Sequence, residues 1–279
     1  MCGRFHISAG SQQYAAQWAA DSKQMTKAGG QNQQTTLEPP VPTAAARPLP
    51  SNAQNFGPSN VCDVVIQNTE DGCLELREMK WGLIPAYEKD ENYFKMFNAR
   101  SESADTKTSF KGLLKNKRCI VVCAGYFEWV GEGAHKRPFY ISLENSEPLL
   151  CAALYDFNRI FEVLSFSMIT TAGPPKLAAI HNRAPLVLTK EQAELWLTGD
   201  TEEQTVLEIL RGETLLAQKS FHWPVTKEIG KGSYQGLDCS VRVEGVASPK
   251  KQLGIGSFFK NTATPSQDTS GKKRPREGD

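Results

Sequence analysis

Residues 119–129 read Cys-Ile-Val-Val-Cys-Ala-Gly-Tyr-Phe-Glu-Trp, a run of β-branched and aromatic side chains that favours a strand. Similar strand patterns occur at 62–67, 74–79, 139–143, 149–155 and 161–171. Short turn segments separate them, which favours antiparallel pairing over βαβ crossovers. Helical spacing predicts short helices at 12–20, 101–114, 174–180, 190–197 and 201–210. The sequence thus predicts an α+β fold, a predominantly antiparallel, barrel-like sheet with a few peripheral helices.

Composition divides the chain into one folded domain, 2–246, and a tail, 247–279. Residues 21–60 are rich in Gln, Gly, Ala, Ser and Pro, so we predict a long loop or insertion there. The tail has too few apolar residues to build a core and is typical of a disordered segment.

Charge and cysteine usage narrow the class of protein. Lys+Arg number 32 and Asp+Glu 31, so any basic surface must be local. Seven cysteines without a C-x-x-C pair or a secretory leader predict free thiols in a reducing compartment. No apolar run approaches the ~20 residues of a membrane span, and no His or Cys pair has metal-site spacing. We therefore expect no membrane span, no metal and no cofactor.

Three polar side chains interrupt apolar or aromatic surroundings: Asn98, Glu128 and His181. Period-two alternation places Glu128 on one face with Tyr126, and it leaves open whether that face is solvated or buried. His181 lies in a loop context, where a satisfied surface or core histidine is the simpler interpretation.

The second residue, Cys2, is a further candidate, because removal of Met1 would leave an α-amine beside a thiol. Such an amine forms an imine with an aldehyde, and the thiol can then add to the imine carbon and close a thiazolidine ring. Glu, His and Asn could supply the acid/base, ring-opening and hydroxyl-binding groups. Three arginines each lie two residues after a candidate, which suggests phosphates beside an electrophilic sugar: Arg4, Arg100 and Arg183.

Five ordered stretches are similar to the SOS-response-associated peptidase (SRAP) family, whose eukaryotic members are abasic-site shield proteins once described as hydroxymethylcytosine sensors. They are Met-Cys-Gly-Arg-Phe (1–5), Trp-Gly-Leu-Ile-Pro (81–85), Phe-Asn-Ala-Arg-Ser-Glu (97–102), Gly-Tyr-Phe-Glu-Trp (125–129) and His-Asn-Arg-Ala-Pro (181–185). The resemblance covers roughly residues 2–223.

The resemblance implies that processed Cys2 cross-links to the ring-opened sugar of an abasic site in single-stranded DNA. Asn98 would position the sugar, and Glu128 would be the general acid/base in imine formation and in reversal. His181 would assist ring opening. The family is also credited with removing its own leading methionine and with weak lyase activity at abasic sites.

The resemblance also implies a DNA surface at single-strand to duplex junctions. Arg4, Arg100 and Arg183 would bind phosphates, while Trp81 and Phe94 would stack on or wedge beside bases. Two positions depart from the family pattern. Ala184 replaces a usual Met, and Gln54 replaces an aromatic residue, which puts one DNA-facing contact in doubt.

Two short patterns stand in the tail. Residues 252–259 place Gln252, Ile255, Phe258 and Phe259 at a spacing that resembles a sliding-clamp (PCNA) binding motif. Residues 272–276, Lys-Lys-Arg-Pro-Arg, resemble a nuclear localisation signal, with a solvated basic tail as the alternative. Together they predict a nuclear protein at replication forks, and we expect a monomer.

Two other function classes remain open. One is an N-terminal-nucleophile cysteine peptidase that acts on other peptides. The other is a non-catalytic, clamp-binding scaffold for single-stranded DNA. The arginines favour DNA over a peptide substrate, because a peptide has no phosphates. Only chemistry separates a cross-linking enzyme from a scaffold.

Overall fold

A computed structural model describes residues 2–28 and 53–246. The centre of the predicted insertion, 29–52, and both tail motifs lie outside these ranges. At its two ends the predicted loop 21–60 overlaps regular structure, since a helix extends to Ala28 and a strand begins at Ala53.

The described residues form thirteen strands and five α-helices. The strands are β1 (Phe5–Ile7), β2 (Ala53–Phe56), β3 (Val61–Gln67), β4 (Leu74–Trp81), β5 (Asn98–Arg100), β6 (Arg118–Cys123), β7 (Gly125–Val130), β8 (Arg137–Leu143), β9 (Leu149–Asn158), β10 (Val163–Ala172), β11 (Arg183–Pro185), β12 (Val187–Leu188) and β13 (Ser220–Pro224). The helices are α1 (Ala9–Ala28), α2 (Thr108–Lys111), α3 (Lys190–Leu197), α4 (Glu203–Arg211) and α5 (Leu216–Lys219).

The strands form two sheets, one of which closes on itself. The first has the order β13-β8-β7-β1-β2. In the second, β4-β3-β6-β9-β10 form a ring, because β10 pairs with both β9 and β4. Most pairings are antiparallel, but β10 runs parallel to β4 and β5. The predicted α+β fold with a barrel-like sheet is confirmed.

The quoted run 119–129 is two strands rather than one. It breaks at Ala124, where the chain passes from β6 in the closed sheet to β7 in the other. All six residues of β6 are buried, because both of its faces are covered. Cys119 and Val121 join a core cluster shared by the two sheets, whereas Ile120 and Val122 pack with helix residues such as Trp196.

Three of the helix predictions are confirmed, and one of these helices has a side-chain cap. Helix α3 begins after Thr189, which forms a reciprocal capping box with Gln192. The prediction for 201–210 matches α4 closely, and the prediction for 12–20 is the middle of a longer α1.

Two helix predictions covered more residues than are helical. Only Thr108–Lys111 and a following 3₁₀ turn are helical within 101–114. Polar side chains such as that of Thr106, which bonds to the Ser103 carbonyl, favour turns instead. Segment 174–180 contains a 3₁₀ turn at Pro175–Leu177 rather than an α-helix. Among the described helices, none has the length and apolar character needed to cross a membrane.

Candidate active site and DNA-facing surface

Cys2 lies where the two sheets meet, just before β1, and is fully buried. Its carbonyl oxygen accepts a hydrogen bond from Asn98 Nδ2 at 2.8 Å. Its thiol makes a long contact of 3.9 Å with the carbonyl oxygen of Arg183. Asn98 begins β5 and Arg183 begins β11, and both strands pair with β10. The closed sheet therefore supplies one wall around Cys2.

Glu128 comes from the other sheet. Strand β7 pairs with β1 so that Phe5 faces Tyr126, and continuing that antiparallel register brings Glu128 beside the chain at Gly3 and Cys2. Only 4% of Glu128 is exposed, so the solvated-face alternative is wrong. The predicted alternation is correct, since Tyr126 shares a core cluster with Cys2 while Phe127 packs in a different one.

The surroundings of Cys2 keep its thiol protonated. Burial raises the pKa of the Cys2 thiol well above its ordinary value, and the negative charge of Glu128 raises it further. A thiolate at this position would have neither solvent nor a counter-charge strong enough to offset both effects. The site therefore favours a neutral thiol beside the side chain of Glu128.

His181 reaches the same site from the turn between β10 and β11. Its backbone N–H bonds to Leu177 in the preceding 3₁₀ turn. Gly173 lets this turn close tightly, because a Cβ there would lie 2.6 Å from the His181 carbonyl oxygen. The Arg183 backbone N–H lies 3.0 Å from His181 Nδ1, and the Arg183 carbonyl oxygen lies 3.2 Å from the same nitrogen. The same Nδ1 is 3.9 Å from Glu128 Oε1.

Two buried acceptors in the site have no hydrogen-bond partner among the described residues: Asn98 Oδ1 and Glu128 Oε1. Such atoms cost free energy unless a ligand or water satisfies them. A sugar hydroxyl or a protonated nitrogen could donate to either acceptor. The four predicted catalytic residues are thus brought together, and two of them have capacity left for a substrate.

The Arg4 side chain is held by segments that are distant in sequence. Its Nη1 donates to Asn55 Oδ1 at 2.8 Å, and Asn55 Nδ2 donates in turn to the carbonyls of Ile229 and Lys231. A Cβ at Gly57 would lie 3.3 Å from the Arg4 side chain. The guanidinium is therefore oriented by its surroundings, which lowers the entropy lost on binding a phosphate.

The other two arginines flank one carboxylate. Arg183 makes a bidentate ion pair with Glu102 and also donates to the Thr170 carbonyl. Arg100 is exposed, and its charge acts on Glu102 as well. Both arginines therefore lie in one basic patch, but Arg183 already holds an anion.

The two aromatic residues predicted to contact DNA bases differ in exposure. Trp81 as a base-stacking residue is wrong: it is 0% exposed, and Phe56 and Phe166 stack in parallel with its ring. Phe94 is 65% exposed in the loop between β4 and β5 and remains available. Gln54 is buried rather than directed to solvent, so this chain lacks a DNA-facing side chain at that position.

Among residues 2–28 and 53–246, no three His, Cys, Asp or Glu side chains are grouped so as to hold a metal ion. Ala184, the other departure from the family pattern, is fully buried in the core cluster that contains Cys2.

Comparison with protein families places this arrangement. The family model "SOS response associated peptidase (SRAP)" matches residues 1–232. The chain belongs to the SRAP family.

Curated relatives carry names that describe their activity. A protein of Escherichia coli named abasic site processing protein is 31% identical over 241 residues, which is 85% of this chain and 98% of the relative. One of Saccharomyces cerevisiae with the same description is 31% identical over 192 residues, 65% of this chain. The match spans only half of that yeast protein's length.

A solved structure shares the fold of this chain. The crystal structure of a protein from Bacteroides thetaiotaomicron superposes with a TM-score of 0.67 at 23% identity, covering 87% of this chain and 100% of that chain.

Sequence reasoning missed two residues of this SRAP site. Glu102, in the stretch 97–102, and Asn55, next to Gln54, had no assigned role, yet each holds one of the predicted arginines. The signal available for Glu102 was its charge, two residues after Arg100. Asn55 offered none, because its four partners are distant in sequence.

Proposed function

We propose that this SRAP protein detects abasic sites in single-stranded DNA and shields them by a covalent cross-link through Cys2. The observation that carries the proposal is the convergence of Asn98, Glu128 and His181 on Cys2 at the junction of the two sheets. The relatives' names, abasic site processing protein, support the substrate class.

The chemistry begins with hydrolysis of the Met1–Cys2 peptide bond, which consumes one water and frees the α-amine. The amine attacks the aldehyde carbon of the ring-opened sugar, and the carbinolamine loses water to give an imine. The thiol then adds to the imine carbon while its proton passes to the nitrogen, closing the thiazolidine. Glu128 moves these protons, and the same steps in reverse release the DNA.

The remaining residues have binding roles in this proposal. Asn98 holds a sugar hydroxyl, and His181 assists ring opening. Arg4, Arg100 and Arg183 bind backbone phosphates, and Phe94 contacts a base at the junction. We also propose weak lyase activity at the same site, because the imine is the intermediate of β-elimination.

The tail extends the proposal to location and partners. Its clamp-binding pattern and basic segment support a nuclear protein that acts with a sliding clamp at replication forks, and we propose that it acts as a monomer. In the full-length protein, a Phe258→Ala/Phe259→Ala change should abolish clamp binding by calorimetry and leave DNA cross-linking intact.

The deciding experiment incubates the purified protein with a single-stranded oligonucleotide that carries one abasic site. A heat-stable band on a denaturing gel is expected for wild type and for the control Cys73→Ala, but not for Cys2→Ala. Absence of any stable adduct from wild type contradicts the proposal.

An insertion variant separates the amine from the thiol. An alanine inserted between Met1 and Cys2 retains the thiol but removes the adjacent amine. It should form no adduct; full cross-linking by this variant would mean that the mechanism needs no terminal cysteine.

A further inference from the structure

Both Nη groups of the Arg183 guanidinium are occupied in the described structure, whereas its buried Nε has no hydrogen-bond partner among the described residues. Its Nη1 and Nη2 each donate to one oxygen of Glu102, with Nη2 and Oε2 at 2.9 Å. Nη2 also donates to the Thr170 carbonyl oxygen at 2.5 Å. One side of the guanidinium is thus anchored on β10, and the other carries a carboxylate.

That carboxylate has the form of the ligand that the proposed function assigns to Arg183. Two oxygens of a carboxylate and two oxygens of a phosphate accept from an arginine fork in the same bidentate way. The hydrogen bond from Arg183 lowers the pKa of Glu102 against the opposing effect of burial, and the charge of Arg100 assists. Glu102 is therefore an anion at neutral pH.

The Glu102 side chain is positioned to leave. It is 52% exposed, whereas the Arg183 side chain is 16% exposed. Glu102 lies in a turn that follows β5, so it can rotate into solvent without breaking a strand pairing. Thr170 would continue to hold Arg183 in the same orientation.

From this geometry we infer that Glu102 is a specificity-determining residue, an internal competitor that a DNA backbone phosphate must displace from Arg183. The inference rests on the proposed function, because it requires DNA as the ligand. Competition from Glu102 makes the protein bind undamaged single strands more weakly than the arginines alone would. Residence on DNA then depends more on the covalent step at Cys2.

The test compares binding of an undamaged fluorescein-labelled single strand by anisotropy. Glu102→Gln keeps the shape and removes the charge, so its affinity should rise roughly three- to tenfold. The gain should vanish when Arg183→Ala is added, because no fork remains to be freed. A merely structural role for Glu102 would weaken binding instead.

A matched control excludes a general charge effect. Asp105 also pairs with an arginine, Arg211, and lies three residues after Glu102. Asp105→Asn changes the net charge equally and should leave affinity within about twofold. An equal gain for Asp105→Asn, or no gain for Glu102→Gln, overturns the inference.

The outcomes also separate this inference from the proposed function. If the wild-type protein cross-links an abasic strand but Glu102→Gln binds single strands with unchanged affinity, only the competitor role of Glu102 is refuted. Wild type that neither binds single strands nor forms an adduct refutes both.

Discussion

His6 should make the strand that follows Cys2 sensitive to acid. It lies in β1, 7% exposed, with Nδ1 3.0 Å from the hydroxyl of Tyr140. Burial lowers the pKa of His6 to about 4. An unfolded histidine has a pKa near ~6.5, so the unfolded chain binds more protons than the native chain between these values. Stability is therefore full above pH ~6.5 and falls as the pH drops towards 4.

The size of the effect follows from the separation of the two pKa values. At pH 5 the difference in protonation costs about 2 kcal/mol of unfolding free energy, and the full separation of ~2.5 units corresponds to about 3 kcal/mol below pH 4. This loss of stability should act directly on the core. The His6 ring contacts Tyr140, which packs with Phe127 in one cluster.

Urea unfolding of wild type and His6→Gln at pH 7.5 and pH 5 measures this contribution. The glutamine can bond to Tyr140 but does not titrate, so the wild type should lose about 2 kcal/mol more than the variant between the two pH values. The control is His222→Gln, which replaces a half-buried histidine on β13. It should change the dependence of unfolding free energy on pH much less. Parallel losses in wild type and His6→Gln would refute the argument.

Three further substitutions test the site and the fold. Gly173→Ala puts a Cβ 2.6 Å from the His181 carbonyl, so gel-based cross-linking rates should fall roughly ten- to a hundredfold. Asn55→Ala should weaken single-strand binding roughly fivefold by anisotropy, but hardly at all in an Arg4→Ala background, since the two act as one unit. Thr189→Ala removes the cap of α3 and should cost about 1 kcal/mol in urea unfolding, with an unchanged midpoint contradicting the capping assignment.

The sequence predicted the long strands because their patterns are set locally. Strands β3, β4, β8 and β9 appear where β-branched and alternating residues predicted them. Strands β5, β11 and β12 have only two or three residues, too few to show a period. The ring closure through β9 and β10 depends on pairing between segments, which no single window contains.

The sequence singled out the polar residues that converge on Cys2, but it did not reveal their neighbours. Cys2, Asn98, Glu128 and His181 stood out by residue type and setting, and the fold brings them together. Trp81 was misplaced because an aromatic side chain gives the same signal in a core as on a binding surface. The partners of the arginines are 51 and 81 residues distant in sequence, so their pairing becomes visible only in the folded chain.

The protonated thiol of Cys2 sets the order of the proposed chemistry. A cysteine peptidase attacks with a thiolate, and both burial and Glu128 disfavour that anion here. An α-amine attacks as a neutral nucleophile, and its ordinary pKa of ~8 leaves a useful neutral fraction at cellular pH. The amine therefore attacks first, and the thiol adds once the imine carbon exists, with Glu128 passing the thiol proton to the nitrogen. Met1 must leave before either step, because an amide nitrogen has no nucleophilic lone pair to offer the aldehyde.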